Sequence, residues 1–174
     1  MPEIARIHSP ERPNANDRNG RLPRLSLERT HRPQVSELMS KINVLIVEDD
    51  IVTAMDVEHE LIQAGYNVSV AVSESQAFRI AEKCRPQLAV VDINLNPGDG
   101  RVVAKALNRN YDTAVLFATA QCEDVEDLKG AGAMACLAKP YEPEAVVTAL
   151  RQVRRMSEGK DARLQAGVIS LKAW

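Results

Sequence analysis

The stretch Val44–Asp50, which reads Val-Leu-Ile-Val-Glu-Asp-Asp, decides the fold, because a short apolar run ends there on three carboxylates. Three later apolar runs also end on a chemically active side chain: Leu88–Val91 on Asp92, Ala114–Ala118 on Thr119, and Met134–Ala138 on Lys139. Such runs are typical of strands buried on both faces of a parallel sheet. If all four are strands of one sheet, carboxylates, a hydroxyl and an ammonium group converge where the strands end.

Between these runs, apolar residues recur at helical spacing, so strands and helices are expected to alternate. The predicted strands are residues 42–47, 67–72, 88–91, 113–118 and 134–138, and a predicted helix follows each. A Ser73-x-x-Gln76 capping box opens the second helix, and Pro143 opens the fifth. Five such units predict an α/β protein with a five-stranded parallel sheet, flavodoxin-like and doubly wound, in the order 2-1-3-4-5. Ligands of such sheets bind beyond strands one and three, where the acidic residues stand.

Three segments are expected. Residues 1–40 hold seven of the 22 basic residues and five of the nine prolines, with little apolar periodicity, and are expected to be a disordered extension. Met39 could be the native start. Residues 41–157 form the domain. Residues 158–174 are expected to be a partly ordered tail, or else to pack on the domain or a partner, and they are too short for a DNA-binding domain.

Bulk composition excludes several classes of protein. The net charge of −2 argues against a polyanion-binding surface. No apolar run approaches the ~20 residues of a membrane span, and the N-terminus shows no apolar signal region. A cytoplasmic protein is therefore expected. Cys84, Cys122 and Cys136 are odd in number and form no CxxC pair, so reduced thiols are expected.

The converging side chains suit phosphoryl transfer. Like charges on Glu48, Asp49 and Asp92 need a cation, and Mg²⁺, for which Mn²⁺ can substitute, prefers such oxygen ligands. Asp49 and Asp92 are expected to bind it directly, and Glu48 through water. The backbone carbonyl of Asn94 would complete the ligands. Asp92 is the candidate nucleophile, since carboxylates form aspartyl-phosphate intermediates. Lys139 and Thr119 would contact the phosphoryl group.

Four motifs together resemble the receiver domain of two-component response regulators over residues 42–156: Ile46–Asp50, Val91–Leu95, Ala118–Ala120 and Lys139-Pro140. The resemblance implies that a sensor histidine kinase or a histidine phosphotransfer protein phosphorylates Asp92. It implies a phosphoacceptor that assists its own phosphorylation and dephosphorylation, rather than an enzyme with a free substrate. A stand-alone receiver would act through protein contacts, as a relay, a phosphate sink or a kinase regulator. A homodimer through the face of helix four, strand five and helix five is a further expectation.

Three residues depart from the usual receiver pattern. Asn96 stands where most receivers have proline, and Pro97 follows. Cys136 replaces an aromatic residue, so the usual coupling between the threonine and that aromatic cannot operate. Phe117-Ala118-Thr119 is similar to the start of the Phe-Ala-Thr-Gly motif of a proteobacterial single-domain subgroup, but Ala120 replaces its glycine.

Two other classes stay in consideration. A Mg²⁺-dependent aspartate-nucleophile phosphatase shares the carboxylates, the threonine and the lysine, but it needs Asp-x-Asp, and Asp92-Ile93-Asn94 lacks the second acid. The other class is a receiver-fold scaffold that is never phosphorylated, which the complete set of acids, Thr119 and Lys139 argues against. Asn94 and Gln121 would flank the phosphoryl group, either to influence the attacking water or simply as loop residues.

Overall fold

Strands and helices alternate along the chain in the computed structural model, which describes residues 41–123 and 125–171. The strands are β1 (Asn43–Val47), β2 (Asn67–Ala71), β3 (Leu88–Val91), β4 (Ala114–Thr119), β5 (Ala133–Ala138) and β6 (Val168–Ser170). The helices are α1 (Ile51–Gln63), α2 (Glu74–Cys84), α3 (Gly100–Tyr111), α4 (Val125–Leu128) and α5 (Pro143–Ser157). The sheet order is β2-β1-β3-β4-β5-β6, so the predicted order of the first five strands is confirmed. All pairs among these five are parallel.

Side-chain caps fix where three helices begin. Asp50 accepts a hydrogen bond from the Thr53 N–H at 2.8 Å and so caps α1. The predicted capping of α2 also forms, since Ser73 Oγ accepts from the Gln76 N–H at 3.4 Å. Asp99 caps α3. Because the start of a helix has unsatisfied N–H groups, such caps set the loop that leads from each strand into its helix.

Two apolar layers hold the sheet, one on each face. Residues of α1 and α5, such as Leu61 and Leu150, pack with one layer. Residues of α2, α3 and α4 pack with the other, which includes Phe117 and Leu128. Val, Leu, Ile and Ala dominate both layers, in line with the low aromatic content. The doubly wound architecture predicted from the sequence therefore stands.

Part of the predicted tail contacts the sheet: of residues 158–174, strand β6 and Leu171 lie against β5. Strand β6 pairs antiparallel with β5, so that Ile169 lies opposite Cys136. The Leu171 N–H donates to the Met134 carbonyl at 3.0 Å, and the Leu171 side chain is buried. Strand β6 therefore lies next to β5 on the face that was predicted for a homodimer, which consists of α4, β5 and α5. A three-residue strand is too short to be seen as an apolar pattern.

The predicted extension, residues 1–40, lies outside the described residues, as does Trp174. Within the described ranges, none of the helices is long and apolar enough to cross a membrane.

Candidate phosphorylation and metal site

Strand register brings Glu48 and Asp92 together. Val47 and Val91 are partners at the ends of β1 and β3, and the Asp92 N–H donates to the Val47 carbonyl at 2.8 Å. The Glu48 N–H donates to the Ala71 carbonyl at 3.0 Å on the other side of β1. The two carboxylates therefore leave the sheet side by side.

The pairing of β4 with β5 sets Lys139 beside Thr119. Thr119 and Ala138 are the last partners of this pair, and the Lys139 N–H donates to the Thr119 carbonyl at 3.0 Å. The Lys139 side chain then reaches across the ends of the strands. The four strands that end on these side chains in the sequence thus contribute to one site, at the carboxyl ends of the strands.

Lys139 bridges two buried carboxylates. Its Nζ lies 2.6 Å from Asp92 Oδ2 and 2.7 Å from Glu48 Oε2. Glu48 is 5% exposed and Asp92 is 7% exposed. Burial raises the pKa of Glu48, although the hydrogen bond from Lys139 opposes this. Burial also works to lower the pKa of Lys139, but its hydrogen bonds to Asp92 and Glu48 outweigh it and hold that pKa above its usual value. The ammonium group is therefore charged at neutral pH.

One ammonium group does not balance three acids. Carboxylate oxygens of Glu48, Asp49 and Asp92 all lie within 4.8 Å of one another. Asp49 Oδ2 accepts a hydrogen bond from the Asn96 N–H at 3.2 Å. Clustered like charges cost free energy unless a cation joins them, and oxygen donors on two or three acids suit Mg²⁺, which keeps several waters. The donor set therefore fits the ion that the sequence predicts.

Asn94 and Gln121 line the site from two loops. The Asn94 N–H donates to Asp92 Oδ1 at 3.1 Å, which helps to orient the carboxylate. The Gln121 amide group donates to Asn94 Oδ1 at 3.1 Å, and both side chains are exposed. The two amides therefore contact each other, and their position beside a phosphoryl group stays a prediction.

Thr119 is fully buried at the end of β4. Its hydroxyl oxygen accepts a hydrogen bond from the Gln121 N–H at 3.4 Å. The hydroxyl oxygen is thus bonded to the backbone of its own loop.

Gly100 is a site residue that the apolar runs do not reveal, because it does not follow one of them. A Cβ on Gly100 would overlap the carbonyl oxygen of Asp92 and would lie 2.8 Å from the Cα of Ile93. Only glycine lets α3 begin directly against the backbone of Asp92. The signal in the sequence was the dipeptide Asp99-Gly100, a helix cap followed by a residue without a side chain.

Asp50, the third acid of the first motif, is not one of the clustered acids. Its carboxylate caps α1, and its hydrogen bonds to that helix, Thr53 first, lower its pKa. The motif thus divides into two acids at the site and one that starts the helix.

The prediction of reduced thiols is wrong for two of the three cysteines. Cys122 and Cys136 form a disulfide, and their Cα atoms are 5.7 Å apart, within the usual range for such bonds. Cys84 is a free thiol. The pairing could not be seen in the sequence, because it depends on the path by which the loop after β4 returns to β5.

Comparison with known proteins agrees with this geometry. The chain matches the family described as the response regulator receiver domain over residues 44–151. This match covers more than half of the chain, which therefore belongs to the receiver domains of two-component signalling. Phosphorylation of an aspartate and Mg²⁺ binding are typical of that family.

Two curated relatives are longer than the stretch that matches this chain. The chain is 30% identical over 116 residues to the probable transcriptional regulator ycf29 of Porphyra purpurea, with 64% of this chain and 56% of that protein covered. It is 28% identical over 138 residues to the aerobic respiration control protein ArcA of Escherichia coli K12, with 77% and 58% covered. The chain thus spans a little over half the length of these curated relatives.

A solved structure shows the same fold. The chemotaxis protein CheY4 of Vibrio cholerae superposes with a TM-score of 0.61 at 31% identity. The superposition covers 66% of this chain and 99% of that one. The superposition therefore shows that the two proteins share the same fold.

Proposed function

We propose that this protein is a phosphorylation switch whose phosphoacceptor is Asp92. The observation that carries the proposal is the position of that carboxylate. It is buried at the carboxyl end of the central strand β3, 2.6 Å from the Lys139 ammonium group and beside two further acids. A carboxylate that is held by a cation and lies next to a second cation site can accept a phosphoryl group.

In the reaction, an Asp92 oxygen forms a bond to phosphorus while the bond from phosphorus to a histidine nitrogen of the donor breaks. The imidazole leaves with the electron pair of that bond and takes up a proton. Mg²⁺, held by Asp49, Asp92, the backbone carbonyl of Asn94 and, through water, Glu48, would offset charge on the phosphoryl oxygens, and Mn²⁺ can replace it. Lys139 would keep its bond to Asp92 until the phosphoryl group arrives, then pair with it.

The donor is a sensor histidine kinase or a histidine phosphotransfer protein. The first turn of α1 begins directly after the acids and exposes Ile51, Val52 and Met55, which are 62%, 69% and 62% exposed. Apolar side chains at the rim of a charged site suit a protein donor better than a small phosphate ester. The protein would act in the cytoplasm through protein contacts, as a relay, a phosphate sink or a kinase regulator. A homodimer through α4, β5 and α5 remains an expectation.

Replacement of Asp92 by asparagine tests the assignment. We expect Asp92→Asn to abolish Mg²⁺-dependent labelling by acetyl phosphate, as measured by the intact mass of the protein. Asp50→Asn is the matched control, because asparagine caps a helix as well as aspartate does and labelling should persist. Unchanged labelling of Asp92→Asn would exclude the assignment, and turnover of a free phosphomonoester would favour the phosphatase class.

A further inference from the structure

The Cys122–Cys136 disulfide joins the two segments that carry the switch groups of the site. Only Ala120 and Gln121 separate Thr119 from Cys122. Cys136 lies on β5 opposite Phe117, three residues before Lys139. The bond therefore ties the Thr119 loop, defined here as residues 120–123, to the strand that leads to Lys139.

The Thr119 loop cannot move without shifting a buried side chain, that of Cys122. Both Cys122 and Cys136 are 0% exposed and belong to the apolar layer that contains Leu128 of α4 and Leu171 next to β6. Thr119 is also 0% exposed, and its hydroxyl is held by the Gln121 N–H. If the loop is to follow the Thr119 hydroxyl toward a phosphoryl group, Cys122 has to shift relative to β5. A covalent bond between the two residues opposes that shift.

We propose that Cys122 and Cys136 form a thiol–disulfide switch that decides whether the Thr119 loop responds to phosphorylation of Asp92. This proposal rests on the phosphorylation proposed above. In the disulfide form Asp92 still accepts the phosphoryl group, but the loop and α4 stay on β5. In the dithiol form only non-covalent contacts hold the loop. The carbonyl oxygen of Thr119, 3.7 Å from Cys122 Sγ, is then an acceptor for the Cys122 thiol.

The exchange needs a low-molecular-weight disulfide as oxidant and a dithiol as reductant. Because both sulfurs are buried, the exchange takes place when the Thr119 loop opens locally. One protein thiolate then attacks the small disulfide and releases a small thiol, and the second protein thiolate attacks the mixed disulfide and releases another. The protein loses two electrons and two protons, and the small disulfide gains them as two thiols. Disulfides in reducing compartments are usually transient and redox-sensing, which suits a regulatory pair.

The position of Cys136 makes the proposal specific to this chain. Receiver domains usually have an aromatic residue there, and its movement accompanies that of the threonine. Cys136 has no aromatic ring and cannot fill that role, but its disulfide with Cys122 can restrain the same loop. Cys136, which in the sequence interrupts the usual coupling, would instead make signalling depend on the redox state of the cysteine pair.

Amide hydrogen exchange on the full chain tests the switch. A Cys84→Ser background removes the one other thiol in the chain. The protein is prepared with oxidised glutathione or with dithiothreitol, and alkylation followed by peptide mass analysis checks the state of Cys122 and Cys136. Exchange is then measured with Mg²⁺, before and after addition of beryllofluoride, which mimics a phosphoryl group on aspartate. We expect residues 119–130 to change their exchange in the dithiol form and to lose that change in the disulfide form.

Controls separate this proposal from the one on which it rests. Cys122→Ser and Cys136→Ser should respond to beryllofluoride identically with either glutathione or dithiothreitol. If either variant fails to fold, the comparison of the two redox forms still decides. Equal loop responses in both forms, with Asp92 labelled by acetyl phosphate in each, would overturn the switch but leave the phosphoacceptor intact. Thiols that resist oxidised glutathione would also overturn it, and absence of labelling in both forms would overturn both proposals.

Discussion

Lys139 is the residue on which the charge balance of the site depends. Its ammonium group lies within 2.7 Å of carboxylate oxygens of both Glu48 and Asp92. Both acids are almost fully buried, so water screens their mutual repulsion poorly. Removal of the lysine would leave two adjacent buried charges without a cation, which costs more than the pair itself contributes.

Replacement of Lys139 by methionine should therefore destabilise the fold in a Mg²⁺-dependent way. In EDTA we expect Lys139→Met to lower the free energy of unfolding by about 2 kcal/mol, less than for a fully buried pair because the lysine is partly exposed. Mg²⁺ should restore part of the loss, since it supplies the missing charge. Urea unfolding with and without Mg²⁺ measures both effects.

Lys129→Met is the matched control for that variant. Lys129 forms an exposed salt bridge with Glu126, and such pairs contribute little. Its removal should change stability by less than about 0.5 kcal/mol with or without Mg²⁺. If Lys139→Met were destabilised equally in EDTA and in Mg²⁺, Mg²⁺ would not be replacing the positive charge of the lysine.

Gly100→Ala tests the close contact between α3 and Asp92. We expect a loss of about 1–3 kcal/mol, because the added methyl group must displace backbone that is already packed. Asp92 should also shift, which lowers the rate of labelling by acetyl phosphate. In the control Gly65→Ala, the added carbon meets open space, so its cost is limited to the strain of a φ of 91° and labelling is retained. A normal labelling rate in Gly100→Ala would refute the positioning role.

Some site residues were predictable from the sequence and others were not. Asp92, Thr119 and Lys139 follow apolar runs directly, and parallel strands bring such positions together whatever the details of the loops. Gly100 and the Cys122–Cys136 pair depend on distances between loops and neighbouring elements. These distances arise from three-dimensional packing, which leaves little trace in local sequence.

Among the elements, four of the first five strands were predictable because each is largely an apolar run, and β2 was predictable because apolar and polar residues alternate along Asn67–Ala71. Their predicted bounds agree with the structure to within about one residue. Strand β6 was not, since only three residues form it and two of these are partly exposed. Its position is set by the open edge of β5 rather than by a pattern of its own.

Leu171→Ala tests whether the segment around β6 is part of the folded core. Leu171 is 4% exposed and packs in the layer that contains Cys136 and Phe117. We expect a loss of about 2 kcal/mol on denaturant unfolding, at the low end for a buried leucine because the site lies at the margin of the sheet. Val102→Ala is the control, since Val102 is 49% exposed and should cost less than about 0.5 kcal/mol. Equal stability of the two variants would indicate that this segment is only loosely attached.

For the molecule as a whole, the proposed metal site would link ion binding to folding. An ion that binds only the folded chain stabilises it, by about 2.7 kcal/mol at one hundred times its Kd. We therefore expect Mg²⁺ to raise the thermal unfolding temperature of the wild-type protein, and Asp49→Asn to lose most of that rise. Asp50→Asn should keep it, because Asp50 caps α1 instead. A Mg²⁺ response that survives in Asp49→Asn would place the ion elsewhere.

Strand β6 also affects how this protein behaves at high concentration. Without it, the outer side of β5 would present a row of unpaired N–H and C=O groups, which is a template for pairing with a strand of another molecule. The antiparallel pairing of Ala135–Leu137 with Val168–Ser170 occupies that row. The segment thus protects the sheet against edge-to-edge aggregation. A chain truncated before Val168 should therefore precipitate at a lower concentration than the full-length chain.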